Sequence, residues 1–204
     1  MKTDTNIQDK TKTTKESMAA PVLTSTTDNQ EMQKYGTRFR VPLGLEDKVC
    51  EESISNLNRI LADTITLRDL YKKSHWQTSG ATFYQLHLLF DKHYNEQAAI
   101  VDLLAERIQL LGGISVSMAQ DVANLSQIEV PPSGREEVSV QLSRLVKAHE
   151  VIFKFVRKAA KKAAEGEDDG TNDLLVSNVI RTNELQTWFV SEHLVALTPP
   201  ETLN

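Results

Sequence analysis

LYKKSHWQTSGATFYQLHLLFDKHYNEQAAIVDLLAERIQLLGG, residues Leu70 to Gly113, decides how this chain folds. Within it His87 and Asp91 are four residues apart, and so are Asp102 and Glu106. At about 100° per residue, positions 87, 91, 102 and 106 project at about 0°, 40°, 60° and 100°, on one side of a single helix. Asp91 and Asp102 nevertheless lie eleven residues apart, roughly 16 Å at about 1.5 Å per residue, too far for both to reach one metal centre. If the two pairs serve the same centre, they must come from different subunits, with two copies of the helix antiparallel about a two-fold axis. His75 closes the preceding helix, twelve residues before His87.

Outward from this stretch the chain reads as helices. The first spans about Glu46 to His75, with Ile54, Leu57, Leu61 and Ile65 recurring at spacings of three or four. Gly80 breaks the chain. The second spans about Thr82 to Leu111, with Phe83, Leu86, Phe90, Val101, Leu104 and Ile108 on its apolar stripe and Gly112-Gly113 as its C-terminal cap. The connection from Ile114 to Gly134 has room for a short helix around Met118 to Asn124 before Pro131-Pro132. A third long helix begins near Arg135, with Leu142, Leu145, Ile152, Phe153 and Val156 inward. Its last turns carry Lys158, Lys161 and Lys162, favourable against the helix dipole. After an acidic turn from Gly166 to Gly170, Thr171 is the expected N-cap of a last helix reaching about His193, with Val179, Leu185, Trp188 and Phe189 inside.

No alternating β-branched run marks a strand. The expected fold class is therefore all-α: a ferritin-like four-helix bundle whose long crossover connection carries a short helix, preceded by a disordered N-terminal tail. Residues 1–45 are expected to be a flexible tail and extended lead-in, 46–195 the bundle, and 196–204 a short C-terminal tail. The tail assignment rests on composition. Met1 to about Tyr35 is rich in Thr, Ser, Asn, Gln and Lys and has too little apolar surface to offset its ordering entropy.

The whole chain has 204 residues, 40% of them hydrophobic and 25% charged, enough for one sizeable core. A formal charge of −5 argues against a folded body that is itself a broad cationic DNA clamp. The single cysteine, Cys50, excludes an intramolecular disulfide framework and a multi-cysteine zinc site, and reads as a small packing residue. The polar N-terminus lacks the apolar core of a secretory signal, and no apolar run approaches the roughly 20 residues that span a bilayer. No membrane partner is expected, and a cytoplasmic location is.

Imidazole and carboxylate together suit iron, zinc or manganese better than magnesium. Each pair taken alone also matches an ordinary solvated helix face, and His75-Trp76 alone matches a packed corner. The set His75-Trp76, Phe83, Leu86-His87, Phe90-Asp91, Asp102 and Glu106-Arg107 is more specific. It closely resembles the Dps family, the starvation-induced DNA-protecting ferritin-like proteins, and the resemblance covers about Asp47 to Leu194.

That resemblance implies a hollow homo-dodecamer with a di-iron ferroxidase centre at each two-fold dimer interface. His75, His87 and Asp91 would come from one subunit and Asp102 and Glu106 from its partner. Fe(II) would be oxidised, preferentially by hydrogen peroxide rather than oxygen, and the ferric product stored in the cavity. Zinc would be a competing metal. Trp76 has two readings: aromatic packing at the dimer seam, or a ring that accepts oxidising equivalents during peroxide turnover. Ordinary ferritins build their site within one bundle from Glu-x-x-His motifs. No such motif occurs here, which favours the interfacial arrangement. The other histidines are weaker ligand candidates: His93, six positions and about 240° round the helix from His87, faces elsewhere, and His149 and His193 lack partners at ligand spacing. Iron entry in the family uses acidic channels near the start of the third long helix. Here Glu136, Glu137 and Glu150 are interspersed with Arg144, Lys147 and Lys154, so no channel residue is assigned.

Some family members bind DNA through lysine-rich tails. This tail has Lys2, Lys10, Lys12, Lys15 and Lys34, then Arg38 and Arg40, against Asp4, Asp9, Glu16, Asp28 and Glu31. A solubilising tail is the favoured reading. DNA contact through the N-terminal lysines is expected to be weak, salt-dependent and aided by multivalency. Three functions remain in play: a ferroxidase and iron store protecting cell and DNA from oxidative damage, a DNA-coating nucleoid protein with incidental metal binding, and a helical interaction protein with a polar seam or structural zinc.

Overall fold

In the computed structural model, which describes residues 31–195, the stripe Ile54, Leu57, Leu61 and Ile65 turns one face of helix α1, Asp47–Gln77, toward the core. Helix α2 is Phe83–Leu110, α3 is Ala119–Leu125 within the crossover, and α4 is Val138–Glu165. The last bundle helix is composite: α5, Asp169–Asp173, continues through a π-helical stretch, Leu174–Ile180, into α6, Arg181–Val195. There is no strand among the described residues. Helix α1 packs along α2 and α4, and α4 packs along α5, the π-helical stretch and α6. The result is the all-α four-helix bundle with a crossover. The expected tails, up to residue 30 and from residue 196, lie outside the described residues, whereas the lead-in from Gln33 onward belongs to the same compact unit as the helices.

Helix α2 ends where its glycines predicted. Gly112 has φ +87°, and Gly113 N–H reaches back to the Ile108 carbonyl at 3.0 Å, closing the last turn. A second constraint acts at the same residue. Phe39 N–H donates to the Gly112 carbonyl at 3.0 Å, and a Cβ at Gly112 would lie 2.0 Å from the Phe39 carbonyl oxygen. The left-handed turn and the close approach both require glycine there.

Two buried side chains of α1 hold the crossover. Asn58 donates to the Ile114 carbonyl at 3.0 Å and accepts from Val116 N–H at 2.7 Å. One turn on, the buried Asp63 carboxylate accepts from Ser126 Oγ at 2.9 Å, from Gln127 N–H at 2.6 Å and from Arg59 Nε at 3.1 Å. The long connection is therefore anchored by backbone-directed hydrogen bonds near its start and just beyond α3.

The last helix departs from expectation in two ways. Its cap is Asp168, which accepts from Thr171 N–H at 3.1 Å, so Thr171 lies inside the helix and not at its N-cap. Asp168 is fully buried and also bonds Ser53 Oγ at 2.6 Å and Arg107 Nη2 at 2.5 Å, tying α1, α2 and the start of α5 together. Secondly, Leu185, Trp188 and Phe189 are exposed, and α6 buries Asn183, Gln186 and Val190 instead. The π-helical stretch supplies the reason: i→i+5 bonding accommodates an extra residue and turns every downstream side chain to a new angle. Phe83, expected on the stripe of α2, is also exposed, tilted against His87 with ring centroids 5.1 Å apart.

Turning Asn183 and Gln186 inward creates a polar layer through the core to which all four long helices contribute. Tyr71 Oη bonds His149 Nε2 at 2.6 Å, and His149 Nδ1 bonds Asn183 Oδ1 at 2.8 Å. Gln97 Nε2 donates to Asn183 Oδ1 at 3.2 Å and to Gln186 Oε1 at 2.8 Å, and Gln186 Nε2 donates to Glu96 at 2.8 Å. His93 sits edge-on to Tyr71, ring centroids 5.0 Å apart, in the same layer.

Removing the Asp63 carboxylate should release the crossover. Asp63→Ala is expected to lower stability by about 2–3 kcal/mol, the scale of hydrogen bonds to a buried charge, as read by denaturant unfolding. A pH dependence also follows. Burial holds His93 at about 4 and His149 at about 3, both neutral in the folded protein. An unfolded histidine titrates at about 6.5, so as pH falls the unfolded chain binds protons first. The histidine contribution is full above about pH 6.5 and declines toward pH 4. His149→Gln should make that decline shallower.

Candidate metal centre

His75 stands in the last turn of α1 and His87 in the second turn of α2, on either side of the tight turn at Gly80. Their rings stack with centroids 3.7 Å apart and planes inclined by 19°. The backbone fixes this geometry twice over. His75 Nδ1 bonds the His87 carbonyl at 2.7 Å, and His87 Nδ1 bonds the His75 carbonyl at 2.9 Å. A carbonyl only accepts, so both Nδ1 atoms carry a proton, and the Nε2 of each ring is left without a hydrogen bond among the described residues. The His75 carbonyl belongs to the last turn of α1, where the helix itself supplies no partner. Each ring thus caps or braces the other helix while leaving one nitrogen available as a ligand.

Asp91 lies one turn beyond His87 on α2. Lys72 Nζ donates to its Oδ1 at 2.5 Å, and the same ammonium sits 4.3 Å from the centroid of the Tyr94 ring. The Lys72 hydrogen bond, together with the positive charge of Lys72, holds the Asp91 carboxyl below the ordinary carboxylate range despite some desolvation. Sequence reasoning missed Lys72. The available signal was its position three residues before His75, on the same face of the same helix.

Asp102 and Glu106 are exposed near the other end of α2. Neither makes a side-chain hydrogen bond or ion pair among the described residues, and Glu106 borders an open depression with Phe39, Val41 and Leu110. The structure therefore brings His75 and His87 together, with Asp91 beside them under Lys72, and leaves the second acidic pair apart. Among the described residues, no group of three or more His, Cys, Asp or Glu side chains is gathered to hold a metal ion. Trp76, next to His75, is 69% exposed and does not pack into its own bundle.

The secondary candidates resolve differently. His93 and His149 are buried in the polar layer, and His193 is half-buried near the end of α6. At the start of α4, Arg144 Nε bonds Glu136 at 2.9 Å and its guanidinium lies 3.8 Å from Glu129, so the acidic charge there is substantially compensated. Arg38 of the lead-in, one of the cations counted above for DNA contact, is paired with Asp47. No described helix is long and apolar enough to cross a membrane.

Comparison with known proteins adds an independent line. The ferritin-like domain family model matches residues 54–198. DpsC from Streptomyces coelicolor superposes with a TM-score of 0.81 at 51% identity, covering 85% of this chain and 99% of that one. Dps from Thermosynechococcus elongatus superposes with a TM-score of 0.69 at 31% identity, covering 76% of this chain and 96% of that one. The DNA protection during starvation protein 1 of Deinococcus radiodurans is 32% identical over 130 residues, 64% of this chain and 63% of that protein.

Proposed function

This chain belongs to the Dps family of ferritin-like proteins, and from that premise we propose that it is a ferroxidase and iron store whose centre is shared between two subunits. His75, His87 and Asp91 of one protomer and Asp102 and Glu106 of the partner subunit would hold Fe(II) as substrate. Hydrogen peroxide, in preference to oxygen, would take its electrons, and a twelve-subunit shell would retain the ferric mineral. The site would work in the cytoplasm or at the nucleoid, limiting oxidative damage to cell and DNA.

The observation that carries this reading is the reciprocal imidazole–carbonyl lock, which leaves two parallel rings each with a free Nε2 beside a carboxylate. Mixed nitrogen and oxygen donors of this kind fit ferrous iron, and they also fit zinc as a competitor. The register of α2 supports a shared centre. The midpoint between 87 and 106 coincides with the midpoint between 91 and 102, so one two-fold axis beside Glu96 and Gln97 would set His87 opposite Glu106 and Asp91 opposite Asp102 at once. Leu88, Lys92, Asn95, Ala99, Asp102 and Glu106 recur every three or four residues as an exposed stripe, with the small Ala99 near that axis. Trp76 would then pack at this seam and stand ready to accept oxidising equivalents. Exposed Leu185, Trp188 and Phe189 offer further surface for shell contacts.

His75→Ala with His87→Ala should slow ferrous oxidation by roughly 10- to 100-fold or more, since loss of outer-shell partners alone does that much. Shell size by chromatography should stay unchanged. Subunit sharing has its own test. The histidine double variant and Asp102→Ala with Glu106→Ala should each be slowed to that extent, yet shells assembled from an equal mixture should regain on the order of a quarter of the wild-type sites. No recovery on mixing would place the centre within one chain. Any DNA contact would be weak and would run through the N-terminal lysines, so a low-salt gel-shift should show at most slight plasmid retardation that fades as salt rises; equal retardation by the full-length shell and one lacking residues 1–30 would remove the tail from the argument.

A further inference from the structure

The polar layer holds a tyrosine in an unusual setting. Tyr71 is fully buried and lies one helical turn before His75, on the same face of α1, about 5–6 Å away between Cβ atoms. Its hydroxyl meets His149 Nε2 at 2.6 Å. The tautomer of His149 is set by its other neighbour: Asn183 Nδ2 is engaged with the Val179 carbonyl at 2.7 Å, so Asn183 Oδ1 faces the ring and accepts from Nδ1–H at 2.8 Å. His149 Nε2 therefore carries the lone pair, and the phenol donates to it.

We infer that Tyr71 is a redox-active side chain, oxidised by loss of an electron toward the neighbouring centre while its proton passes to His149 Nε2. The inference rests on the peroxide-driven ferrous oxidation proposed above. Burial raises the Tyr71 hydroxyl well above its ordinary titration range, so the side chain has no accessible phenolate and must lose proton and electron together. His149 offers a short, oriented path for that proton, and Asn183 stabilises the imidazolium formed. The other tyrosines lack this arrangement. Tyr35 and Tyr84 are exposed, and Tyr94 lies under the Lys72 ammonium, which opposes removal of an electron.

The chemistry balances without a further reagent. Hydrogen peroxide takes two electrons, and two ferrous ions supply both when the centre is full. With one ferrous ion present, Tyr71 supplies the second. Fe(II), the Tyr71 phenol hydrogen-bonded to neutral His149, hydrogen peroxide and two protons give Fe(III), the Tyr71 phenoxyl radical beside protonated His149, and two waters. A later ferrous ion returns one electron, His149 returns the proton, and the pair is restored with a second Fe(III). The O–O bond is thus cleaved by two electrons even at partial loading, and no hydroxyl radical is released.

A purely structural role for the layer makes a different prediction, and spectroscopy separates the two. Full-length shells are loaded anaerobically with Fe(II) at half occupancy, mixed with hydrogen peroxide and freeze-quenched for electron paramagnetic resonance, with iron oxidation recorded in the same samples. The expected result is a tyrosyl signal that narrows in protein carrying ring-deuterated tyrosine and is absent in Tyr71→Phe. His149→Gln keeps an acceptor for the hydroxyl but cannot take its proton, and should reduce the radical yield. Hydroxyl-radical spin-trap adducts should rise in Tyr71→Phe. Oxidised iron with a signal indifferent to tyrosine deuteration, or with an undiminished signal in Tyr71→Phe, would overturn the inference and leave the ferroxidase reading standing. Absence of any iron oxidation would remove both. Should Tyr71→Phe fail to assemble, the deuterated wild-type shell and His149→Gln still decide between the outcomes.

Discussion

Because α2 is one continuous helix of 28 residues, side chains eleven positions apart along it stay roughly 16 Å apart. That rigidity governs the rest of the molecule. It prevents a single chain from bringing Asp91 and Asp102 together, so the chemistry proposed for them depends on a second subunit. It also gives α2 two faces with separate duties. Leu86, Phe90, Ile100, Leu104 and Ile108 build the core of their own bundle, while the stripe from Leu88 to Glu106 stays exposed, the face proposed above to meet a second subunit.

Much of this was legible in the sequence because it depends on local spacing. The stripe of α1, the glycine stop after α2, the length of the crossover and the position of His75 relative to His87 are all set by residues within a few turns of one another. What the sequence concealed depends on contacts between distant segments. His149 has no ligand-spaced neighbour, yet it meets Tyr71 and Asn183, 78 and 34 residues away. The π-helical stretch left no clear periodic signature, and it reversed the expected placement of Leu185, Trp188 and Phe189. Thr171 was a reasonable cap by residue type, but Asp168 also satisfies Ser53 and Arg107 and so takes the position. The separation of Asp91 from Asp102 was readable as a distance problem; the Lys72 partner of Asp91 was not.

The polar layer shows how this bundle differs from a purely apolar one. Replacing a buried polar cluster by well-packed hydrophobic residues is often neutral or stabilising, so stability alone is a weak reason to keep six such side chains in the core. Most of them are satisfied, and the chain of bonds from Tyr71 to Glu96 crosses every long helix, fixing their mutual register. Both nitrogens of His93 and Gln97 Oε1 nevertheless have no partner there among the described residues. A layer organised only for satisfaction would not place them so.

The bond between Lys72 and Asp91 has a further consequence. The Asp91 carboxylate does not stand bare: it holds a tethered monocation, which also lies over the Tyr94 ring. On the proposed reading, loading would be an exchange of counterions rather than the filling of a charged void. The displaced ammonium would stay attached to α1, ready to resume its place when the cargo moves on. At the proposed subunit seam, Lys72 would thereby offset part of the mutual repulsion of the acids before any metal arrives.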